Sequence, residues 1–115
     1  MSANIQTIDI EAMQTAAADA CKLLKVLANP DRLLLLCHLS QGELCVSDLE
    51  GQTEIKQPTL SQQLTVLRDE ELVSTRRDGK QIFYSIASKE AIAVMQVLYE
   101  LYCGSDKGSS KGKRK

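Results

Sequence analysis

Four cysteines are the residues of this 115-residue chain with the widest chemical repertoire: Cys21, Cys37, Cys45 and Cys103. None of them forms a Cys-x-x-Cys pair, the usual signature of thioredoxin-like motifs and zinc ribbons. His38 is the only histidine, so a tetrahedral site of nitrogen and sulfur ligands is hard to assemble. His38 also adjoins Cys37 on a helix, where sequence neighbours point apart, so a thiol enzyme lacks its paired base. The residues by themselves therefore indicate neither a thiol enzyme nor a metal site within one subunit. Metal binding across two subunits stays open, and so does the interpretation of each free cysteine as a small buried hydrophobe.

A second unusual stretch is KQPTLSQQL, residues 56–64. On a helix, Leu60, Leu64 and Leu67 form one buried stripe at i, i+4 and i+7. The opposite face, around Gln62, carries uncharged side chains that both donate and accept hydrogen bonds, which suits base edges in a major groove. The candidate DNA-reading residues are Gln57, Thr59, Ser61, Gln62 and Gln63. The alternative interpretation is a solvated helix face.

Periodicity and capping signals predict the elements before this stretch. Apolar residues at helical spacing predict a first helix over about residues 9–27. Asn29 caps a second helix, with proline at its first position. Ser47 and Glu50 match a capping box, which opens a short third helix closed by Gly51.

The fourth helix carries the polar stretch, with Pro58 in its first turn. Next, an Asp78-Gly79 pair between two β-prone arms predicts a hairpin. Ser88 then begins a last helix, which Gly104 ends. The order α-α-α-α-β-β-α predicts a mainly helical winged helix-turn-helix with a β-hairpin wing.

The charge distribution supports a nucleic-acid partner despite a net charge of −1. Residues 1–55 carry a net of −5, whereas residues 56–89 and 90–115 each carry a net of +2. Arg76, Arg77 and Lys80 surround the hairpin tip, where they are placed to meet phosphates or a minor groove.

The last helix predicts a homodimer. Between Ala91 and Cys103 only Gln96 and Glu100 are clearly polar, and they share one face. A helix that is apolar on its other sides must bury more than one of them, and a monomer of this size covers only one. A two-fold dimer presents two reading helices to a roughly palindromic double-stranded operator.

Composition places the protein in the cytoplasm without a membrane partner. The chain has no apolar run of about 18 residues, and its N-terminus lacks a basic start followed by an apolar run. The cysteines are then expected to be thiols at rest. We expect a flexible segment at residues 1–8, one DNA-binding and dimerisation domain at 9–103, and a basic disordered tail at 104–115.

Residues 21–103 resemble the ArsR/SmtB family of winged helix-turn-helix repressors. LLKVLANPDRLLLLCHL is similar to the family's entry helices, and QPTLSQQLTVLRDEELVSTRRDGKQIFYSI to its recognition helix and wing. Lys56 stands at a usual serine position and Gln63 at a common histidine position. The resemblance implies a DNA-binding repressor that pairs through its first and last helices.

The resemblance also bears on what the protein senses. ELCVSDLE is similar to the family's arsenite motif ELCVCDL but keeps only Cys45, with Ser47 at the second thiolate position, and a hydroxyl is a poor soft-metal ligand. The final helix also lacks the histidine of the family's zinc site. No metal or other cofactor is therefore expected.

The placement of Cys37 and Cys103 resembles the dithiol of the BigR- and HlyU-like branch. That branch senses persulfides and related oxidants through a disulfide or polysulfide bridge, which releases the operator. The resemblance implies a Cys37/Cys103 redox switch with reactive sulfur species as effector. The alternatives are a metal- or haem-responsive repressor and a peroxide-responsive thiol switch.

The individual thiols invite different interpretations. Cys21, at helical spacing with Ala17 and Leu24, is interpreted as a small buried hydrophobe. Cys45 precedes a helix N-terminus, which favours a thiolate. Cys103 ends a helix, where the negative end of the dipole disfavours one, so Cys37 is the expected nucleophile.

Overall fold

The computed structural model describes residues 7–104 and confirms the winged helix-turn-helix architecture. Most of the expected flexible N-terminus and the basic tail lie outside these residues. The helices are α1 (Ile10–Leu27), α2 (Pro30–Leu39), α3 (Val46–Gln52), α4 (Thr59–Asp69) and α5 (Lys89–Tyr99). The strands are β1 (Leu44–Cys45), β2 (Val73–Asp78) and β3 (Gln81–Ile86). A π-helical turn, Glu100–Gly104, continues α5.

Side-chain caps set the starts of three helices, and two of them, Asn29 and Ser88, are the residues that the sequence predicts. Asp9 accepts a hydrogen bond from the backbone of Ala12 at the start of α1. Asn29 accepts one from the Arg32 N–H at 3.0 Å. Ser88 does the same for α5. Each satisfies one of the donors that the first helical turn leaves without an intrahelical acceptor.

The start of α3 differs from the prediction. Its N-cap is Cys45, and the Cys45 backbone N–H donates to the Asp48 carboxylate at 3.1 Å. The predicted box of Ser47 and Glu50 is therefore wrong, because a carboxylate nearer the end of β1 takes the free donor. Gly51 lies inside this helix and does not end it.

Helix α4 begins just after Pro58 and does not include it in its first turn. Pro58 has no side-chain acceptor for the backbone donors of the first turn. The side chain of Gln57 supplies one, because its Oε1 accepts from the Ser61 N–H at 3.1 Å.

The three strands form an antiparallel sheet in the order β1-β3-β2. Asp78 pairs with Gln81, so the two turn residues are Gly79 and Lys80, one position later than the predicted Asp78-Gly79. Gly79 has φ +65°, a left-handed conformation that glycine adopts without steric cost. The short strand β1 has no signature in the sequence and exists because its two residues pair with Tyr84 and Phe83 of β3.

One apolar core joins α2, α3 and α4 to the base of the wing. Leu35, Leu36, Leu49, Leu60 and Leu67 are completely buried. Helix α1 joins this core mainly through its C-terminal end, at Val26 and Leu27. The helix-turn-helix is thereby held rigid against the sheet.

Helices α1 and α5 leave much of their apolar surface uncovered. The exposed side chains on these two helices and the π-helical turn are Ile10, Met13, Leu24, Ile92, Val97, Tyr99, Leu101 and Tyr102. The interpretation of Cys21 as a buried residue is wrong for the single chain, in which this side chain is exposed. None of the helices within residues 7–104 has the length and apolar character needed to cross a membrane.

Candidate functional site

Helix α4 separates a buried face from an exposed polar face. Leu60, Leu64 and Leu67 are buried as predicted. Ser61 and Gln62 are exposed, and Thr59 is half-buried. The leucine stripe fixes the rotation of the helix, so these polar side chains have no competing place in the core.

Two of the predicted reading residues already have partners within the chain. The side-chain oxygen of Gln57 accepts the cap hydrogen bond from Ser61. The side-chain oxygen of Gln63 accepts a hydrogen bond from Nη1 of Arg32 at 2.9 Å. Gln62 lies between these two residues in the sequence, and its side chain is exposed. Its amide is thus the best placed of the three for a bidentate contact with a base edge.

In the wing, Arg76 is engaged by the protein itself. Its Nε and Nη2 donate to the two carboxylate oxygens of Glu43, each at 2.8 Å. Its guanidinium carbon lies 4.7 Å from the centre of the Phe83 ring. The Arg76 hydrogen bond lowers the pKa of Glu43, and the same bond raises the pKa of Arg76. This fork ties β2 to the residue before β1, across the central strand.

Arg77 and Lys80 differ from Arg76. Both are exposed at or beside the hairpin turn. Within residues 7–104, neither takes part in an ion pair. They are the wing cations whose charge is available to an anionic partner such as a phosphate backbone.

The fold brings Cys37 and Cys103 into each other's electrostatic range, although 65 residues separate them in the sequence. Cys37 lies on α2 and Cys103 in the π-helical turn, and both are free thiols at the surface. Partial burial raises the pKa of Cys37, and the charge of the Cys103 thiolate raises it further. This shift opposes the expectation that Cys37 is the nucleophile, because only the thiolate attacks.

An open groove of about 1040 Å³ lies beside Cys37, lined by residues of α2, β3 and α5. Cys37, Met95, Tyr99 and Glu100 contribute to its walls. A small polar reagent in solvent therefore has a path to the Cys37 side chain.

Cys45, which directly precedes α3, is in a different environment from Cys37 and Cys103. It is only 4% exposed. Its thiol donates to the Asp48 carboxylate at 3.2 Å, with the Ser47 hydroxyl 3.3 Å from the sulfur. The two hydrogen bonds from Cys45 lower the pKa of Asp48. Cys45 thus serves as part of the α3 cap. No group of three or more potential metal-ligating side chains clusters anywhere in residues 7–104.

Sequence reasoning missed two residues that organise this surface, Arg32 and Glu43. Arg32 forms a hydrogen bond with Gln63, 31 positions later, and Glu43 forms one with Arg76, 33 positions later. No local pattern signals such a pair, because each contact depends on how separate elements pack.

Comparison with known proteins agrees with this geometry. Residues 29–75, from the cap of α2 into β2, match the family described as bacterial regulatory protein, arsR family. A biofilm growth-associated repressor of Agrobacterium fabrum is 47% identical over 103 residues, which are 90% of this chain and 88% of that protein. The transcriptional activator HlyU of Vibrio cholerae is 40% identical over 96 residues, covering 84% of this chain and 89% of HlyU.

A solved structure is similar over most of this chain. The crystal structure of the transcriptional repressor BigR from Xylella fastidiosa superposes with a TM-score of 0.81 at 45% identity, covering 85% of this chain and all of that one. These proteins are transcriptional regulators and not enzymes. The chain therefore belongs to the arsR family of bacterial regulatory proteins and is a DNA-binding transcriptional regulator.

Proposed function

We propose that this protein is a dimeric repressor that releases its operator when Cys37 and Cys103 become covalently linked, with polysulfide or persulfide as the oxidant. The observation that carries the proposal is that the fold brings two surface thiols, separated by 65 residues of sequence, within electrostatic range of each other. The names of the repressor relatives support the DNA-binding part. The effector and the assembly rest on the arguments that follow.

The bridge forms by ordinary thiol chemistry. One thiolate attacks a sulfur of a polysulfide and becomes a persulfide, while the polysulfide leaves one sulfur shorter. The second thiolate then displaces hydrosulfide from that persulfide, leaving a disulfide; the two thiols are oxidised and one sulfane sulfur is reduced to sulfide. If both cysteines become persulfides, their condensation gives a trisulfide and releases hydrogen sulfide.

The DNA-binding surface consists of the exposed face of α4 and the wing tip. Gln62 is the proposed base-reading residue, flanked by Thr59 and Ser61. Arg77 and Lys80 are the proposed phosphate contacts. The proposed role of three other predicted contacts is to position this surface, because their side chains form hydrogen bonds within the protein: Gln57, Gln63 and Arg76.

A dimer would cover the apolar surface of α1 and α5. Val97 is 53% exposed and Leu101 70% exposed in the single chain. Burial of such side chains contributes about 1.5–3 kcal/mol each relative to leaving them in water. Because Cys103 lies at the end of this apolar surface, a change in its position would alter how two protomers meet.

The bridge would act by shifting a conformational equilibrium. A covalent link restricts α2 and the π-helical turn to the arrangements in which the two sulfur atoms meet. If these arrangements space the two recognition helices wrongly, the protein leaves the operator. Converting 99% bound to 1% bound requires about 5.5 kcal/mol of difference between the two states, and the stiffness of a covalent bridge is a suitable source.

The test begins with a duplex selected from a random-sequence library by the reduced wild-type protein. Its affinity is measured by fluorescence anisotropy at fixed salt, before and after treatment with sodium tetrasulfide. We expect the treated protein to lose affinity, and mass spectrometry to find a Cys37–Cys103 bridge. Cys37→Ser and Cys103→Ser should remain bound after treatment.

Cys21→Ser is the matched control, because it removes another exposed thiol, and it should respond as the wild type does. Release of DNA by a polysulfide-treated Cys103→Ser protein would refute the thiol pair as the switch. Release by hydrogen peroxide but not by tetrasulfide would replace the sulfur effector with a peroxide. Release on addition of metal ions or haem to the reduced protein would favour that alternative.

A further inference from the structure

We infer that Arg32 is a positioning residue for DNA recognition, which locks the recognition helix α4 to the end of α1 through the side chain of Gln63. The inference rests on the proposed DNA-binding role of α4. It assigns Gln63 to internal alignment of the helix, where the sequence pattern suggests a DNA contact.

The guanidinium of Arg32 joins three elements. Its Nε donates to the carbonyl oxygen of Val26 at 2.9 Å, and its Nη2 reaches the carbonyl of Lys25 at 3.4 Å. Its Nη1 donates to Gln63 Oε1 at 2.9 Å. Because Asn29 caps the backbone N–H of Arg32, the base of the side chain is also fixed.

Two features of this environment favour arginine. The carbonyl groups at the end of a helix lack intrahelical donors and carry the negative end of the helix dipole. One of the two carbonyls here, that of Lys25, already accepts the Ala28 N–H at 3.3 Å. A rigid fork of five N–H donors adds to that bond, donates to the second carbonyl and still reaches a third acceptor, whereas a lysine ammonium is a single point on a flexible stem. Within the described chain, Arg32 forms no ion pair with a carboxylate, so these neutral oxygens are its hydrogen-bond partners.

The contact acts on α4 at a sensitive position. Gln63 directly follows Gln62, and it is half-buried while Gln62 is exposed. The leucine stripe sets the overall rotation of α4, and fixing the Gln63 amide limits the small rotations and axial shifts that remain open to the turn carrying Gln62. Small displacements matter here, because a bidentate base contact tolerates little misalignment.

The experiment is a double-mutant cycle with Arg32→Lys and Gln63→Met. Lysine keeps the charge but loses the fork, and methionine keeps the length of glutamine but loses the acceptor. Affinity is measured for the duplex selected by the reduced wild-type protein and for a random duplex of equal length. We expect each single variant to lose about tenfold in affinity for the selected duplex, the loss of one hydrogen bond to a charged group. The affinity of each variant for the random duplex should fall much less.

The double variant should lose no more affinity for the selected duplex than the single variant that binds it more weakly. The reason is that both changes break the same contact. Arg68→Lys, the same exchange at an exposed arginine of α4, should leave the ratio of selected to random affinity unchanged. Additive losses in the double variant, or equal losses on both duplexes, would overturn the inference. Failure of the wild-type protein to prefer any duplex would instead overturn the proposed function, so the two failures are distinguishable. Thermal unfolding of each variant separates loss of fold from loss of alignment.

Discussion

At the residue scale, similar side chains have different roles according to their partners. Arg76 is held by Glu43 and Phe83, while Arg77 beside it has no ion-pair partner in the described chain. Cys45 is buried against Asp48, while Cys37 and Cys103 are exposed near each other. Residue type alone therefore does not assign a DNA contact or a reactive thiol.

Gln62 and Arg77 should affect DNA binding in different ways. We expect Gln62→Ala to weaken the selected duplex by about 1–3 kcal/mol and to relax base preference, because a base-edge contact is lost. Arg77→Ala should weaken all sequences alike and reduce the slope of log affinity against log salt by about one, because a phosphate contact is lost. Salt titrations on selected and random duplexes measure both effects. Identical profiles for the two variants would contradict the division into reading helix and phosphate-binding wing.

The raised pKa of Cys37 predicts slow alkylation near neutral pH. Burial and the neighbouring Cys103 favour the neutral thiol, so the thiolate fraction should rise only at higher pH than in an unfolded chain. The rate of Cys37 carbamidomethylation, followed by peptide mass spectrometry across pH, should have a higher midpoint in native protein than in denaturant. In Cys103→Ser the midpoint should move part of the way down, because burial remains. Coincident native and denatured midpoints would show that the environment does not shift this thiol.

At the element scale, caps and turns set the lengths of the helices and the register of the wing. The Asp78–Gln81 pair places Gly79 at the first turn position, where φ is positive. Glycine at this position is the arrangement of a type II′ turn, which matches the twist of the flanking strands. The turn thereby decides where Arg77 and Lys80 lie.

Replacing Gly79 should weaken the wing. A Cβ at this position meets no neighbouring atom within 4 Å, so the cost of Gly79→Ala comes from the positive φ alone, about 1–2 kcal/mol. Gly51→Ala is the matched control, because Gly51 is helical and its Cβ also meets open space. Alanine there should stabilise the protein by about 0.5–1 kcal/mol. Urea unfolding at one protein concentration measures both, and a Gly79 variant as stable as the Gly51 variant would refute the turn assignment.

At the scale of the whole molecule, the core of the single chain is complete around α2, α3 and α4 but not around α1 and α5. Most of the exposed large apolar side chains of the described residues lie on these two helices, which the family resemblance pairs in a dimer, and on the π-helical turn after α5. Cys103 lies directly beyond α5, so the thiol pair and the proposed dimer surface are part of one region. Oxidation and assembly are for this reason expected to be coupled.

Val97→Asp should separate the protomers without unfolding them. Val97 is 53% exposed in the single chain, so a monomer tolerates the carboxylate, whereas an apolar dimer interface would bury it unpaired at a cost of several kcal/mol. Sedimentation velocity should therefore find monomers with unchanged helical circular dichroism. Ile82→Asp, which places the same charge on an exposed apolar residue of the wing, should remain dimeric. An intact dimer in the Val97 variant would exclude α5 from the interface.

The sequence by itself determined the features that depend on near neighbours. The leucine stripe of α4, the Asn29 and Ser88 caps and the order of the five helices and two wing strands are readable because helical periodicity and capping act over three or four residues. Together these patterns predict a winged helix-turn-helix, which the resemblance to the ArsR/SmtB family also implies. The capping box of α3 lies two residues earlier than predicted, because the helix starts directly at the end of β1, where the Cys45 backbone N–H donates to the Asp48 carboxylate.

Only the tertiary structure decided which of the candidate residues are free to act. The Arg32–Gln63 and Arg76–Glu43 contacts join residues 31 and 33 positions apart, and nothing in either local sequence selects its partner. The exposure of Cys21, the burial of Cys45 and the mutual proximity of Cys37 and Cys103 likewise depend on how the helices pack. The physical reason is that hydrogen bonding and burial at these sites are properties of the space between elements, which no single element specifies.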